Sequence, residues 1–368
     1  MEGNEAIGWG AMAAGCNFFA GYPITPATTI YNTMLNLLPP KGGVCLQGED
    51  EIASIGFCLG AAMSGMKTMT ATSGPGISLY SEQISFAIGS EIPIVIVDVQ
   101  RLGPSTGSAT KGADGDIQFL QWSNSGGLPV IVLAPVDVKD CYVLTMQAFN
   151  LAEQYRCPVF VAANKEVSMT RETIDLDGLD LPEIIDRRTA DPDRPFLPFG
   201  VTGDELVPDY LAIGGDRLVR QTSSTHGPDG YITTDPEQIA RMQQRLDDKL
   251  KKNISAFTYY EEYLVPGADT LVIAYGVTAR AAMTAVKKVR QSDSKASLLI
   301  LKTLWPVPEQ LIVEKAAPYK RVVVAEMNLG QYVLELQRLL TDKKIEFFGQ
   351  MNGELIKPGQ IQEVIQNG

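Results

Sequence analysis

The chain has 368 residues, 31 of them Lys or Arg and 43 Asp or Glu, for a formal net charge of −12. That balance excludes broad nucleic-acid binding, which needs clustered cations to displace counterions, and 45% hydrophobic with 20% charged residues excludes a wholly disordered chain. A single histidine, His226, cannot build a His cluster and leaves zinc-hydrolase and Ser-His-Asp chemistry little to work with, and five cysteines without a CxxC spacing give no iron–sulfur run or zinc-ribbon pattern.

At ~100–200 residues per domain, the length fits two or three domains. Cys16, Cys45, Cys58, Cys141 and Cys157 read as reduced thiols, mostly in apolar settings. The start Met1-Glu2-Gly3-Asn4-Glu5 has no basic leader region, and no apolar run reaches the ~18 residues that span a bilayer. A soluble, cytoplasmic protein with no membrane contact is expected.

In chain order, the first half repeats a short apolar run, a turn and a helical period. Residues 17–21 lead into Tyr22-Pro23-Ile24-Thr25-Pro26, and residues 43–47 into Gly48-Glu49-Asp50-Glu51. Residues 67–72 lead into Ser73-Gly74-Pro75-Gly76, and residues 93–99 into a polar loop from Gln100 to Asp116. Residues 129–133 and 158–163 are further strands. Strands alternating with helices predict a doubly wound α/β fold, a parallel sheet covered on both faces. From Ser168 the periodicity fades, apart from an exposed amphipathic helix over 234–252. Alternation returns at Asp269, with strands at 270–275, 297–302, 321–325 and 343–348 and a helix from Thr278. The expected division is 1–168, a connector over 169–268, and a smaller α/β domain over 269–368.

Ligands of open parallel sheets bind beyond the carboxyl ends of the strands, so these loops are the candidate site. Thr25 is placed to cap a helix with Pro26 at its first position, or to offer its hydroxyl to an anionic substrate. Glu49 and Asp50 fit the positive end of a helix. Glu51 differs, because it precedes a small, close-packing face (Ala53, Gly56, Gly60, Ala61), where a carboxylate needs a dedicated partner. Thr72-Ser73-Gly74-Pro75-Gly76 allows close approach of a ligand, or is simply a tight turn; it lacks dinucleotide and Walker spacing. The long loop after residue 99 offers Arg101 as a carboxylate clamp and Lys111 as a second cation, or is a solvated loop. Leu304-Trp305-Pro306 and Glu326-Met327-Asn328-Leu329-Gly330-Gln331 read as packing or subunit contact.

Residues 21–26 (GYPITP), 49–55 (EDEIASI), 70–76 (TATSGPG), 98–101 (DVQR), 103–107 (GPSTG) and 325–331 (AEMNLGQ), in this order, resemble the α subunit of 2-oxoacid:ferredoxin oxidoreductases over nearly the whole chain. The similarity is greatest to 2-oxoglutarate and branched-chain members. It implies a pyrimidine-binding domain of a thiamine diphosphate enzyme over 1–168 and a transketolase-C-terminal-like domain over 269–368. It implies that Glu51 hydrogen-bonds N1′ of the aminopyrimidine. Tyr22, Pro23, Ile24, Thr72, Ser73 and Gly74 would then line the cofactor, and Thr25, Arg101, Ser105, Thr106 and Lys111 the substrate. The reaction implied is oxidative decarboxylation of a 2-oxo acid, with CoA taking the acyl group and ferredoxin the electrons.

The sequence lacks the family's GDG diphosphate motif, since Asp114-Gly115-Asp116 has the wrong order. A separate β subunit is therefore expected to bring the diphosphate half, Mg²⁺ and a [4Fe–4S] cluster, with γ and δ subunits as further partners. Close 2-oxoglutarate members read GPSTGLPTK where this chain has GPSTGSATK at 103–111. A distal contact from Lys111 would favour 2-oxoglutarate; a branched-chain or aryl 2-oxo acid is the alternative. A non-oxidative thiamine diphosphate enzyme and a non-catalytic scaffold are the remaining rivals.

Overall fold

The computed structural model describes residues 1–191, 193–290 and 295–368. Twelve strands are described: β1 (Phe18–Gly21), β2 (Val44–Gln47), β3 (Thr68–Thr72), β4 (Ile94–Gln100), β5 (Ile131–Leu133), β6 (Pro158–Asn164), β7 (Tyr260–Tyr263), β8 (Thr270–Tyr275), β9 (Ala296–Leu301), β10 (Thr303–Trp305), β11 (Arg321–Glu326) and β12 (Lys344–Gly349). They form a sheet of order β10-β5-β6-β4-β3-β1-β2 and a second of order β12-β11-β8-β9-β7. All pairings are parallel except β10 on β5 and β7 on β9.

β4 shows why these segments are strands. Its sequence IVIVDVQ is rich in β-branched residues and wholly buried. Val95, Val97 and Val99 face one apolar cluster, and Ile94 and Ile96 face the other. Asp98 and Gln100 therefore share a face with Ile94 and Ile96.

The chain runs from β1 outward to β2, then returns to β3 on the other side of β1. This reversal creates a crevice at the carboxyl ends of β1 and β3. The loops after β1, β3 and β4 meet there.

The helix Glu51–Met63 packs Ile55, Cys58, Leu59 and Ala62 beneath the crevice. Asp50 is its N-cap, accepting from the Ala53 N–H at 2.7 Å. The connector ties down its other end. Arg187 donates to Ala62 O and Met66 O, each at 2.9 Å, and Tyr210 Oη to Met63 O at 2.8 Å. Glu153 in turn holds Arg187 at 2.6 and 2.7 Å.

The expected amphipathic helix is Pro236–Lys251, but its Lys249 is buried rather than solvated. Lys249 and Arg245 both pair with Glu91, a completely buried carboxylate. Burial alone would raise the Glu91 carboxyl; the two cations outweigh it and hold it well below the usual range.

The expected division at 268/269 falls between β7 and β8 of one sheet. Conversely, β10 leaves the second domain and pairs with β5 of the first sheet. Trp305 is buried, and its indole N–H donates to Ile117 O at 2.9 Å. One apolar cluster consequently runs from Ile55 and Ile96 through Trp305 to Ile273 and Val324.

The five cysteines are free thiols, with Cys45 alone partly exposed. Burial pushes Cys16 and Cys157 up to about 12 and Cys45 to about 11. Among the described residues, no helix is long and apolar enough to cross a membrane.

Candidate active site

Glu51 opens its helix with only 8% of its surface exposed. None of the side-chain hydrogen bonds among the described residues reaches its carboxylate, and it makes no ion pair there. Beside it, the hydroxyls of Thr72 and Ser73 are buried and likewise unpartnered. A Cβ at Gly76 would overlap Thr72 Oγ1 and stand 3.0 Å from Glu51 Oε1. The glycine thus lets its backbone pack closely against both side chains, which no larger residue could do. Tyr80 closes the floor, its hydroxyl 2.9 Å from Thr70 Oγ1.

Arg101 directly follows β4 and is 5% exposed. Nη1 donates to Thr25 O, and Nη2 to Thr106 O at 3.0 Å. Nε has no hydrogen-bond partner. A Cβ at Gly74 would lie 3.4 Å from Arg101 Nε and 3.7 Å from Ser105 O. One loop, residues 73–76, therefore touches both the Glu51 corner and the Arg101 corner. The structure gathers Thr25, Gly74, Arg101, Ser105 and Thr106 in this way.

Thr25 does not cap a helix. Residues 25–27 form a turn, and the helix begins at Thr28 with Ala27 as its N-cap. The reason is that this turn is claimed from outside: Thr25 O accepts from Arg101, and Pro26 O from Asn4 Nδ2 at 2.8 Å. Tyr22 is 39% exposed, Pro23 is half-buried, and Ile24 packs partly against the core. Lys111 stands apart from the Arg101 contacts, in an exposed ion pair with Glu354 at 3.0 Å.

Two residues that sequence reasoning did not select complete the corner. Asp98 is fully buried, with neither carboxylate oxygen in a well-formed hydrogen bond. It faces Asp116 and the Gly74 N–H. Burial, then the neighbouring Asp116, push Asp98 well above the usual carboxylate range. Burial raises Asp116 to about 6 against the pull of Arg101. The signal was present as one acidic residue on the inward face of an Ile/Val strand.

The loop at 326–331 packs rather than opens. Glu326 accepts from Tyr275 Oη at 2.7 Å, Asn328 Nδ2 at 2.9 Å and the N–H groups of Tyr332 and Val333 at 2.9 and 2.8 Å. Gln331 donates to Gly115 O at 2.6 Å and accepts from the Gln118 N–H at 2.8 Å. It thereby grips the stretch that carries Asp116.

The model of the family described as pyruvate flavodoxin/ferredoxin oxidoreductase, thiamine diphosphate-binding, matches residues 9–245. That of pyruvate:ferredoxin oxidoreductase core domain II matches residues 268–361. The chain is 40% identical to a 2-oxoglutarate synthase subunit KorA of Methanothermobacter thermautotrophicus, over 99% of this chain and 97% of that protein. It is 34% identical to the ketoisovalerate oxidoreductase subunit VorB of the same organism, over 100% and 96%. Among solved structures it resembles a 2-oxoglutarate:ferredoxin oxidoreductase from Magnetococcus marinus, described with 2-oxoglutarate, coenzyme A and succinyl-CoA bound. The TM-score is 0.94 at 33% identity, covering 100% of this chain and 64% of that one.

Proposed function

Because this chain belongs to the pyruvate flavodoxin/ferredoxin oxidoreductase family, we propose that it is the α subunit of a 2-oxoglutarate:ferredoxin oxidoreductase, forming succinyl-CoA. The observation that carries the reading is the Glu51 carboxylate, 8% exposed, without a side-chain hydrogen-bond donor among the described residues, and set against Thr72 and Gly76.

These residues fit an aminopyrimidine. A carboxyl group is available to a ring nitrogen, and two unpaired hydroxyls to its polar edge. Thiamine diphosphate, when bound, supplies an electron sink for the bonding pair released on decarboxylation. Glu51 holds a proton at N1′ and so favours the imino tautomer of the pyrimidine. Thr72, Ser73 and Gly74 line the pyrimidine side, with Tyr22, Pro23 and Ile24 from the neighbouring loop.

Arg101 and Thr25 orient the carboxylate end of the 2-oxo acid, and Ser105 and Thr106 shape the pocket around it. Lys111 reaches the distal carboxylate of 2-oxoglutarate once its exposed pairing with Glu354 is exchanged. The β subunit brings the diphosphate and Mg²⁺ site and a [4Fe–4S] cluster, and ferredoxin receives the electrons; γ and δ subunits complete the assembly. The higher identity to the 2-oxoglutarate synthase subunit than to the ketoisovalerate one, 40% against 34%, supports the dicarboxylate substrate.

The test is a panel of 2-oxo acids with CoA and a viologen dye on the anaerobic complex. CoA-dependent dye reduction fastest with 2-oxoglutarate is expected. Preference for 2-oxoisovalerate would move the assignment to the branched-chain reading. Turnover without dye reduction would move it to a non-oxidative enzyme.

A further inference from the structure

Arg101 shares its corner with more acid than its role requires. Asp98 lies on the inward face of β4, one step before Gln100, and Asp116 comes from the loop before the helix Ile117–Trp122. The Asp116 N–H donates to Gln100 Oε1 at 3.2 Å, which fixes that loop against the end of β4. Asp98 Oδ1, Asp98 Oδ2, Asp116 Oδ2 and Arg101 Nε are all buried without a well-formed hydrogen bond, and the Asp98 carboxyl lies against Asp116 and the Gly74 N–H. Asp98 is fully buried and Asp116 half-buried with its Oδ2 shielded, and two such carboxyls side by side cannot both ionise cheaply, so they hold one proton between them.

We propose that Asp98 and Asp116 form a positioning acid pair that sets the charge Arg101 presents to the substrate carboxylate, and that the pair takes up a proton as the 2-oxo acid binds. This rests on the assignment of Arg101 to the carboxylate end of the substrate. With one proton on the pair, its remaining negative charge offsets the guanidinium. An incoming carboxylate then meets a nearly neutral corner and repels the ionised oxygen. Adding a second proton removes that repulsion and leaves Arg101 uncompensated for the substrate.

The groups facing Asp116 are Asp98 and Arg101 from β4 and its end, and Asp114 from its own loop. Asp114 is itself faced by Glu166 and Glu326. Arg101 is thus the one cation among those neighbours. The linkage has a definite sign. Binding favours the protonated pair, so affinity falls as pH rises through the titration of Asp116, near 6.

Two measurements on the assembled complex test the pair. KM for 2-oxoglutarate is expected to rise about fivefold between about pH 5.5 and pH 8, and Asp116→Asn to flatten that rise. Calorimetry with glutarate, which has the carboxylates but no 2-oxo group, is expected to show proton uptake in buffers of different ionisation enthalpy. Asp98→Asn should reduce that uptake. The wild-type calorimetry stands even where a variant fails to fold. Turnover with a KM indifferent to pH and binding without proton uptake would overturn the acid pair alone. Absence of turnover with every 2-oxo acid would instead overturn the functional reading beneath it.

Discussion

Glu51 and Glu326 are both buried glutamates beside a strand-end loop, and they are opposites. Glu326, at the end of β11, is wholly buried and accepts hydrogen bonds from Tyr275, Asn328, Tyr332 and Val333. Glu51 has 8% exposure and no such donors. A satisfied carboxylate stiffens the loop around it. One without donors from its own chain keeps its lone pairs free for a ligand. The same contrast divides the two loop clusters: hydroxyls and Arg101 Nε lack partners around 72–101, whereas the side chains of Asn328 and Gln331 are fully engaged.

The contrast can be broken or sharpened by substitution. The largest effect is expected for Glu51→Gln: a loss of about a thousandfold or more in CoA-dependent turnover, with thermal stability changed by less than ~1 kcal/mol. A near-normal rate would falsify the role of Glu51. Glu91 extends the comparison to a carboxylate satisfied by charge. Its folded value is depressed, so its contribution is full above the unfolded value, 4.5, and is lost as pH falls through the lower folded value. Glu91→Gln should cost about 3–5 kcal/mol near pH 7 by leaving Lys249 and Arg245 uncompensated. Its stability curve should then be flatter in acid than the wild type, as read from melts at several pH values.

Glu326→Ala is expected to lower stability by about 3 kcal/mol, because it strands three donors in the interior, the Tyr275 hydroxyl and the N–H groups of Tyr332 and Val333. Its turnover per folded molecule should fall far less than that of Glu51→Gln; equal losses would erase the distinction between strut and site. Arg101→Ala should raise KM about tenfold for every 2-oxo acid. Lys111→Ala should cost only a few-fold and only for a dicarboxylate, with no change in melting, since its pairing with Glu354 is exposed. Equal effects on 2-oxoglutarate and 2-oxoisovalerate would remove Lys111 from the distal end.

Much of this was legible because it is local. The runs at 67–72 and 93–99 emerge as β3 and β4 almost to the residue, since β-branched runs between turns have one good solution. Glu51 was conspicuous because a carboxylate entering a glycine-and-alanine face breaks the pattern. What was not legible is set by distant chain. Thr25 looks like a cap until Arg101 and Asn4 claim the carbonyls of its turn. Asp116 sits in a loop whose position depends on Gln100 and Gln331. Lys249 looks solvated until Glu91, far away in sequence, is seen beneath it. No periodicity marks β10, which has three residues and takes its conformation from β5.

That short strand has a consequence for how the protein can be rebuilt. Thr303–Trp305 lends an edge and an indole to the first sheet, and Trp305 grips Ile117, the residue next to Asp116. The C-terminal half is therefore not an interchangeable cassette. A hybrid joined at the connector would import a foreign edge strand and a foreign anchor for the Asp116 loop along with the new domain. Exchange between relatives should preserve the first half's behaviour only when residues 303–305 travel with the sheet they complete.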